Sequence, residues 1–187
     1  MLGFEIGSLK LRLSFSFFAA VALAASFGGE YARTVLVCVL SALVHECGHM
    51  TAMLCFSLPP DFIYFYAGGI MLPADRLDCG RPAACVILLS GSLVNFICAG
   101  LCFLFAGAGD FVFANIALGL FNLLPFSGSD GCRLISELSK REPPAAVKLS
   151  AALLPASLCC VGAYYGYLPF FLAATTCYII ISGFSGE

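Results

Sequence analysis

The 187-residue chain contains two histidines, and they stand four apart with a glutamate after the first: His45-Glu46-Cys47-Gly48-His49. Residues four apart on a helix lie one above the other on the same face. His45 and His49 therefore offer two imidazole nitrogens to one metal ion. Glu46 falls about 100° round the helix from His45. There its carboxylate sits beside the metal, suited to taking a proton from a bound water. The flanks, residues 36–44 and 50–56, are apolar. The competing reading is a pair of helix histidines bonded to neighbouring helices. An ionisable pair inside a long apolar run is costly to keep, which favours function.

A catalytic zinc keeps three protein ligands and an open position for water. Two histidines leave one ligand to find. Cys47 is badly aimed, about 200° from His45 on the same helix. Cys132 offers a thiolate. Asp130 offers a carboxylate at the end of an apolar run, between Gly128 and Gly131, whose backbones adapt freely. Asp130 is the preferred third ligand, and its competing role is to cap a helix beginning near Cys132. Asn95 and Asn122 are further polar groups set in apolar runs. They are suited to holding a substrate backbone or one another, against the competing role of a helix-packing hydrogen bond.

The elements that carry these residues are those of a membrane protein. The chain is 61% hydrophobic and 11% charged, with a mean hydropathy of +1.00. A soluble domain averages about 45–50% apolar and about 25% charged. At roughly 20 residues per crossing helix, the length admits about six spans. The net charge of −2 and the lack of a basic stripe give no sign of nucleic-acid binding. The eleven cysteines include no C-x-x-C pair and mostly fall in apolar runs, where they act as small hydrophobes rather than a disulfide framework.

In order, the predicted spans are residues 9–27, 35–58, 82–105, 111–126, 149–162 and 168–181. The first is preceded by basic residues but lacks a convincing signal-peptidase site, so it is read as a span. The second carries the histidines and stops at Pro59-Pro60. Phe62-Ile63-Tyr64-Phe65-Tyr66, then Ala67-Gly68-Gly69 and Ile70-Met71-Leu72, favour a short hairpin or re-entrant loop. Such backbone is tolerated at membrane depth only beside protein or a water-filled cavity. The fold class expected is an all-α polytopic membrane protein of about six transmembrane helices, with this short β element after the second. One domain, 1–187, has a catalytic core at about 35–134 and accessory helices at about 9–28, 149–162 and 168–181.

Lysine and arginine placement sets the orientation. With six spans, one side receives Lys10, Arg12, Arg76, Arg81, Arg133, Lys140, Arg141 and Lys148, and the other receives Arg33 alone. Both termini are then cytoplasmic. His45, His49 and Asp130 come to similar depths in the cytoplasmic half of the membrane.

The two motifs together carry a resemblance. H-E-x-x-H in one apolar helix, followed by Asn122-Leu123-Leu124-Pro125-Phe126-Ser127-Gly128-Ser129-Asp130-Gly131, resembles the site-2 protease family of intramembrane zinc metalloproteases, whose pattern is N-x-x-P-x-x-x-x-D-G. Ser90-Gly91-Ser92-Leu93-Val94-Asn95-Phe96 is similar to the family's small-residue and Asn motif, with Ser92 where a proline is common. The aromatic Gly-Gly segment resembles the family's membrane-embedded β element beside the active site. The six-span layout looks closest to the bacterial sporulation branch, whose member processes a membrane-associated pro-sigma factor.

The resemblance implies one Zn2+ per chain held by His45, His49 and Asp130, with Glu46 as the base. Asn95, Asn122, Gly68 and Gly69 would lie along the substrate. It implies an endopeptidase in a bacterial cell membrane that cuts a membrane-bound protein substrate within the lipid bilayer, with room for an inhibitory or regulatory membrane partner. The rival expectations are a silent relative that holds a client without cutting it, and a metal transporter. A transporter would want more carboxylates or histidines along a path.

Overall fold

The computed structural model describes residues 2–6, 9–15, 18, 22, 26, 29–58, 62–66, 69–71, 79–126, 128–149 and 153. The elements are β1 (Leu2–Ile6), β2 (Leu9–Leu13), α1 (Gly29–Cys55), β3 (Phe62–Tyr66), β4 (Gly69–Met71), α2 (Arg81–Ala106), α3 (Asp110–Leu123) and α4 (Asp130–Ser139). The chain separates into two compact units, residues 1–119 and 120–187.

The first unit holds a four-stranded sheet in the order β1-β2-β3-β4. β1 pairs antiparallel with β2, β2 parallel with β3, and β3 antiparallel with β4. This corrects the all-α expectation: the fold is mostly helical with a small sheet. It also corrects the start of the first predicted span, since Leu9–Leu13 is a strand. The physical reason is visible in Leu9-Lys10-Leu11-Arg12-Leu13. Apolar and basic residues alternate with the two-residue period of a strand, and Gly7-Ser8 is turn chemistry. The aromatic segment is not a hairpin standing alone. Arg12 stacks its guanidinium 4.1 Å from the centre of the Phe62 ring, and the Ser14 amide continues the β2–β3 ladder to the Phe65 carbonyl at 2.8 Å.

α1 ends in a Schellman turn. The Leu58 amide donates to the Met53 carbonyl at 2.9 Å, and Ser57 takes the left-handed conformation at φ 59°. Leu58 then packs on the buried group Ala52, Met53 and Ile87. Pro59 and Pro60 follow, where a helix could not continue. β4 lies against α1.

α2 starts at Gly80 with a proline in its first turn, where the missing amide costs nothing, and stops at Gly107, φ 78°. Its register with α1 is set by two close approaches. A Cβ on Gly48 would stand 2.6 Å from the Ser90 carbonyl oxygen, and one on Gly91 would stand 2.7 Å from His45 Cε1. His49 meets Ile87 while His45 meets Gly91, so α1 and α2 run antiparallel.

α3 joins this pair through residues 110–119. Ser92 Oγ donates to the Gly119 carbonyl at 3.0 Å, and the Phe96 ring fills the place of a Gly119 side chain. Arg33 near the start of α1 pairs with Asp110 at the start of α3, 3.1 Å apart.

Residues 32–55 and 81–106 are two helices long and apolar enough to cross a membrane. α3 is the shorter apolar helix of 14 residues, about 21 Å at 1.5 Å per residue, against a hydrocarbon core of about 30 Å. It stops at Leu123, short of the predicted 126, because Pro125 has no amide to extend it. The outer face of α2 exposes Val86, Leu89, Leu93, Ile97, Leu101 and Leu104 at helical spacing. The predicted spans at 149–162 and 168–181, apart from residues 149 and 153, lie outside the described residues, as does most of 14–28.

In the second unit, the Phe126 amide donates to the Leu124 carbonyl at 3.0 Å, a tight turn around Pro125. Gly128 takes φ 88°, and α4 follows. Beyond it, Lys148 Nζ lies 2.8 Å from Glu142 Oε2. That hydrogen bond holds the exposed Glu142 carboxyl below its usual range and raises the Lys148 ammonium above its own.

Candidate metal centre

His45 and His49 are one helical turn apart on the buried face of α1, and their Nε2 atoms face each other at 3.0 Å. Two nitrogens bound at about 2.05 Å to a tetrahedral zinc would lie about 3.3 Å apart. The pair is therefore spaced as two ligands of one ion. His49 Nδ1 lies 2.8 Å from the Ile87 carbonyl oxygen. A carbonyl only accepts, so Nδ1 carries the proton and Nε2 keeps its lone pair. This is the outer contact that fixes a ligand histidine's tautomer and ring plane. Gly91 supplies the clearance. A Cβ there would crowd His49 Nε2 and His45 Cε1, so the glycine keeps α2 clear of both imidazoles.

Glu46 is half-buried, next along α1 from His45, while Cys47 is exposed and turned away from the histidines. The cysteines at 38, 47, 55, 79, 85, 98, 102 and 132 are free thiols.

Asp130 is the first residue of α4. The capping role that competed for it belongs to Ser129, whose Oγ accepts from the Cys132 amide at 3.1 Å. Ser129 Oγ also reaches the Leu124 and Phe126 carbonyls, at 2.5 and 2.9 Å, tying the cap to the Pro125 turn. Asp130 thus sits in the first turn of the helix, one residue past the cap. Gly131 is required beside it, because a Cβ there would run into the Leu123 carbonyl. His45, His49 and Asp130 each offer one ligand atom, and these atoms lie within 4.8 Å of one another, a group that could hold a metal ion. Two imidazole nitrogens and a carboxylate are a donor set that zinc takes in catalytic sites.

The other residues singled out from sequence fall as follows. Asn95 is wholly buried within α2. Asn122 is half-buried in the last turn of α3. Gly69 opens β4, and Gly68 lies outside the described residues. Sequence reasoning missed Ser41, Asn115 and Gly48. Ser41 and Asn115 are buried and bonded to each other, Asn115 Nδ2 to Ser41 Oγ at 3.0 Å. Asn115 in an apolar helix was the available signal. Gly48 is where α1 and α2 touch backbone to backbone.

No known family profile matches this sequence, and no curated protein matches it. Among solved structures, the chain is similar to the site-2 protease from Methanocaldococcus jannaschii. The TM-score is 0.68 at 20% identity, over 98% of this chain and 94% of that one. At that identity the likeness is one of fold.

Proposed function

We propose that this chain is an intramembrane zinc endopeptidase of the site-2 protease family, cutting a peptide bond within or beside a transmembrane segment of a membrane-bound substrate. The observation that carries the reading is the convergence of the His45 and His49 Nε2 atoms, 3.0 Å apart with Asp130 in the same group, on a chain with that protease's fold. His45, His49 and Asp130 are the ligands. Zinc held there would supply Lewis-acid chemistry, lowering the pKa of a water toward about 7 and polarising the scissile carbonyl. Glu46 takes a proton from the attacking water on its carboxylate and returns it to the nitrogen of the leaving amine. The Ile87 carbonyl keeps His49 in the ligating tautomer.

A peptide bond inside a membrane helix is shielded, since its carbonyl is engaged in the helical ladder. The substrate must be held extended. β4 is an edge of the sheet and lies against α1, and we assign it the substrate by strand addition, where backbone bonds give affinity with little sequence demand. Gly68, Gly69 and Asn122 are the residues proposed to hold the substrate backbone. Asn95, read from the sequence as a fourth contact, is wholly buried within α2. The protein is a multi-pass membrane protein with both termini cytoplasmic, and regulated release of a membrane-tethered transcription factor is the use proposed for it.

Glu46→Gln tests the mechanism. Cleavage of a membrane peptide by purified protein should fall at least about 100-fold, with zinc content unchanged. Near-wild-type turnover would remove Glu46 as base. Wild-type protein that binds zinc and peptide and never cuts would favour the silent relative instead. For the ligand set, Asp130→Ala should lose zinc, and Asp130→Asn should be severely impaired in activity. Full zinc content in both variants would reopen Cys132 as the third ligand.

A further inference from the structure

Asn95 is 0% exposed, and among the described residues neither its Nδ2 nor its Oδ1 has a hydrogen-bond partner. Asn115 is equally enclosed. Its Nδ2 donates to Ser41 Oγ at 3.0 Å and to the Phe111 carbonyl at 2.8 Å. The Phe111 carbonyl only accepts, so the amide cannot be turned round, and Oδ1 is the atom left without a partner among the described residues.

Helical spacing brings these groups toward one level. Gly91 lies against His49 and His45, and Asn95 is one turn further along the same stripe of α2. Because α1 runs the other way, the residue it brings to that level is one turn before His45, which is Ser41. Ser41 is the residue Asn115 holds. A buried amide with four unmet hydrogen-bonding valences and no partner is rare in native proteins, where such groups are satisfied by internal water. A buried water makes about three hydrogen bonds. Asn95 Nδ2, Asn95 Oδ1 and Asn115 Oδ1 offer that number.

We propose that Asn95 and Asn115, with Ser41 holding Asn115 in place, bind internal water one helical turn from His45, and that this water is the reserve that replenishes the hydrolytic water at the metal pair. The second part rests on the protease reading, and the first does not. It makes Asn95 a positioning residue for water.

Asparagine occurs three times in the chain, at Asn95, Asn115 and Asn122, so 15N-asparagine labelling reports the site directly. In zinc-loaded protein in detergent micelles, the Asn95 side-chain amide protons should show cross-relaxation to a long-lived water, and Asn115→Leu should weaken it. No such signal in the wild type overturns the water site, whether or not the protein cleaves anything.

Asn95→Leu gives a second reading of opposite sign for the two cases. Evicting a bound water leaves Asn115 Oδ1 stranded and lowers Tm, whereas removing an amide that had no water raises it. A raised Tm would also overturn the proposal. In the same variant kcat should fall several-fold, with KM and zinc content unchanged. An unchanged kcat beside a positive water signal overturns the reserve. A wild-type protein that cuts no peptide defeats the protease reading and the reserve with it, and leaves the water site to the amide signal.

Discussion

At the scale of single residues, the metal centre depends on a side chain that is missing. Gly91 leaves room where any Cβ would meet both imidazoles. Gly91→Ala should therefore cost most of the zinc affinity while α2 still forms, since alanine is the better helix former. Metal analysis beside circular dichroism checks it, and full zinc occupancy with normal activity would show that the histidines have room to turn aside. Asp130 illustrates a division of labour that residue types alone leave open. The sequence Ser129-Asp130-Gly131 contains two residues able to cap, and only the Cys132 amide pointing at Ser129 Oγ shows which one does. His45, Glu46, His49 and Asp130 were legible because their spacing is local or part of a motif. Ser41 and Asn115 were not, because their bond joins positions 74 apart, and nothing in either neighbourhood announces the other.

At the scale of elements, α1 and α2 were legible as long apolar runs ending in prolines and glycine. β1 and β2 were hidden because an apolar run adjoins Leu13, and the alternating pattern before it was absorbed into a span. The two-residue period of Leu9 to Leu13 and the turn-forming residue types at 7 and 8 were the available signals. The end of α1 carries a further test. Ser57 holds φ 59°, a conformation that costs a residue with a Cβ about 1 kcal/mol. Ser57→Gly should therefore raise stability by roughly that amount, less the entropy glycine adds to the unfolded chain. Thermal unfolding in detergent reads the sign, and a loss of stability would mean that the serine hydroxyl matters more than its backbone.

At the scale of the whole molecule, the lysine and arginine count proposes both termini on the cytoplasmic side. In a background without other accessible thiols, Gly3→Cys and Gly186→Cys should resist an impermeant reagent in intact cells and react after lysis. Labelling of either end from outside would reject the six-span topology. The number of crossings was read from length and hydropathy, which count apolar residues and say nothing of how a strand order closes.

That strand order has a consequence for handling the protein. β2 lies between β1 and β3, so the first thirteen residues are not a free tail but half of the sheet. Cutting them away would turn β3 from an interior strand into an edge in place of β1. A shortened chain would then offer the aromatic Phe62–Tyr66 strand to an extended peptide, on the side of the hairpin opposite β4. Trimming the front of this protein should make it stickier before it makes it inactive.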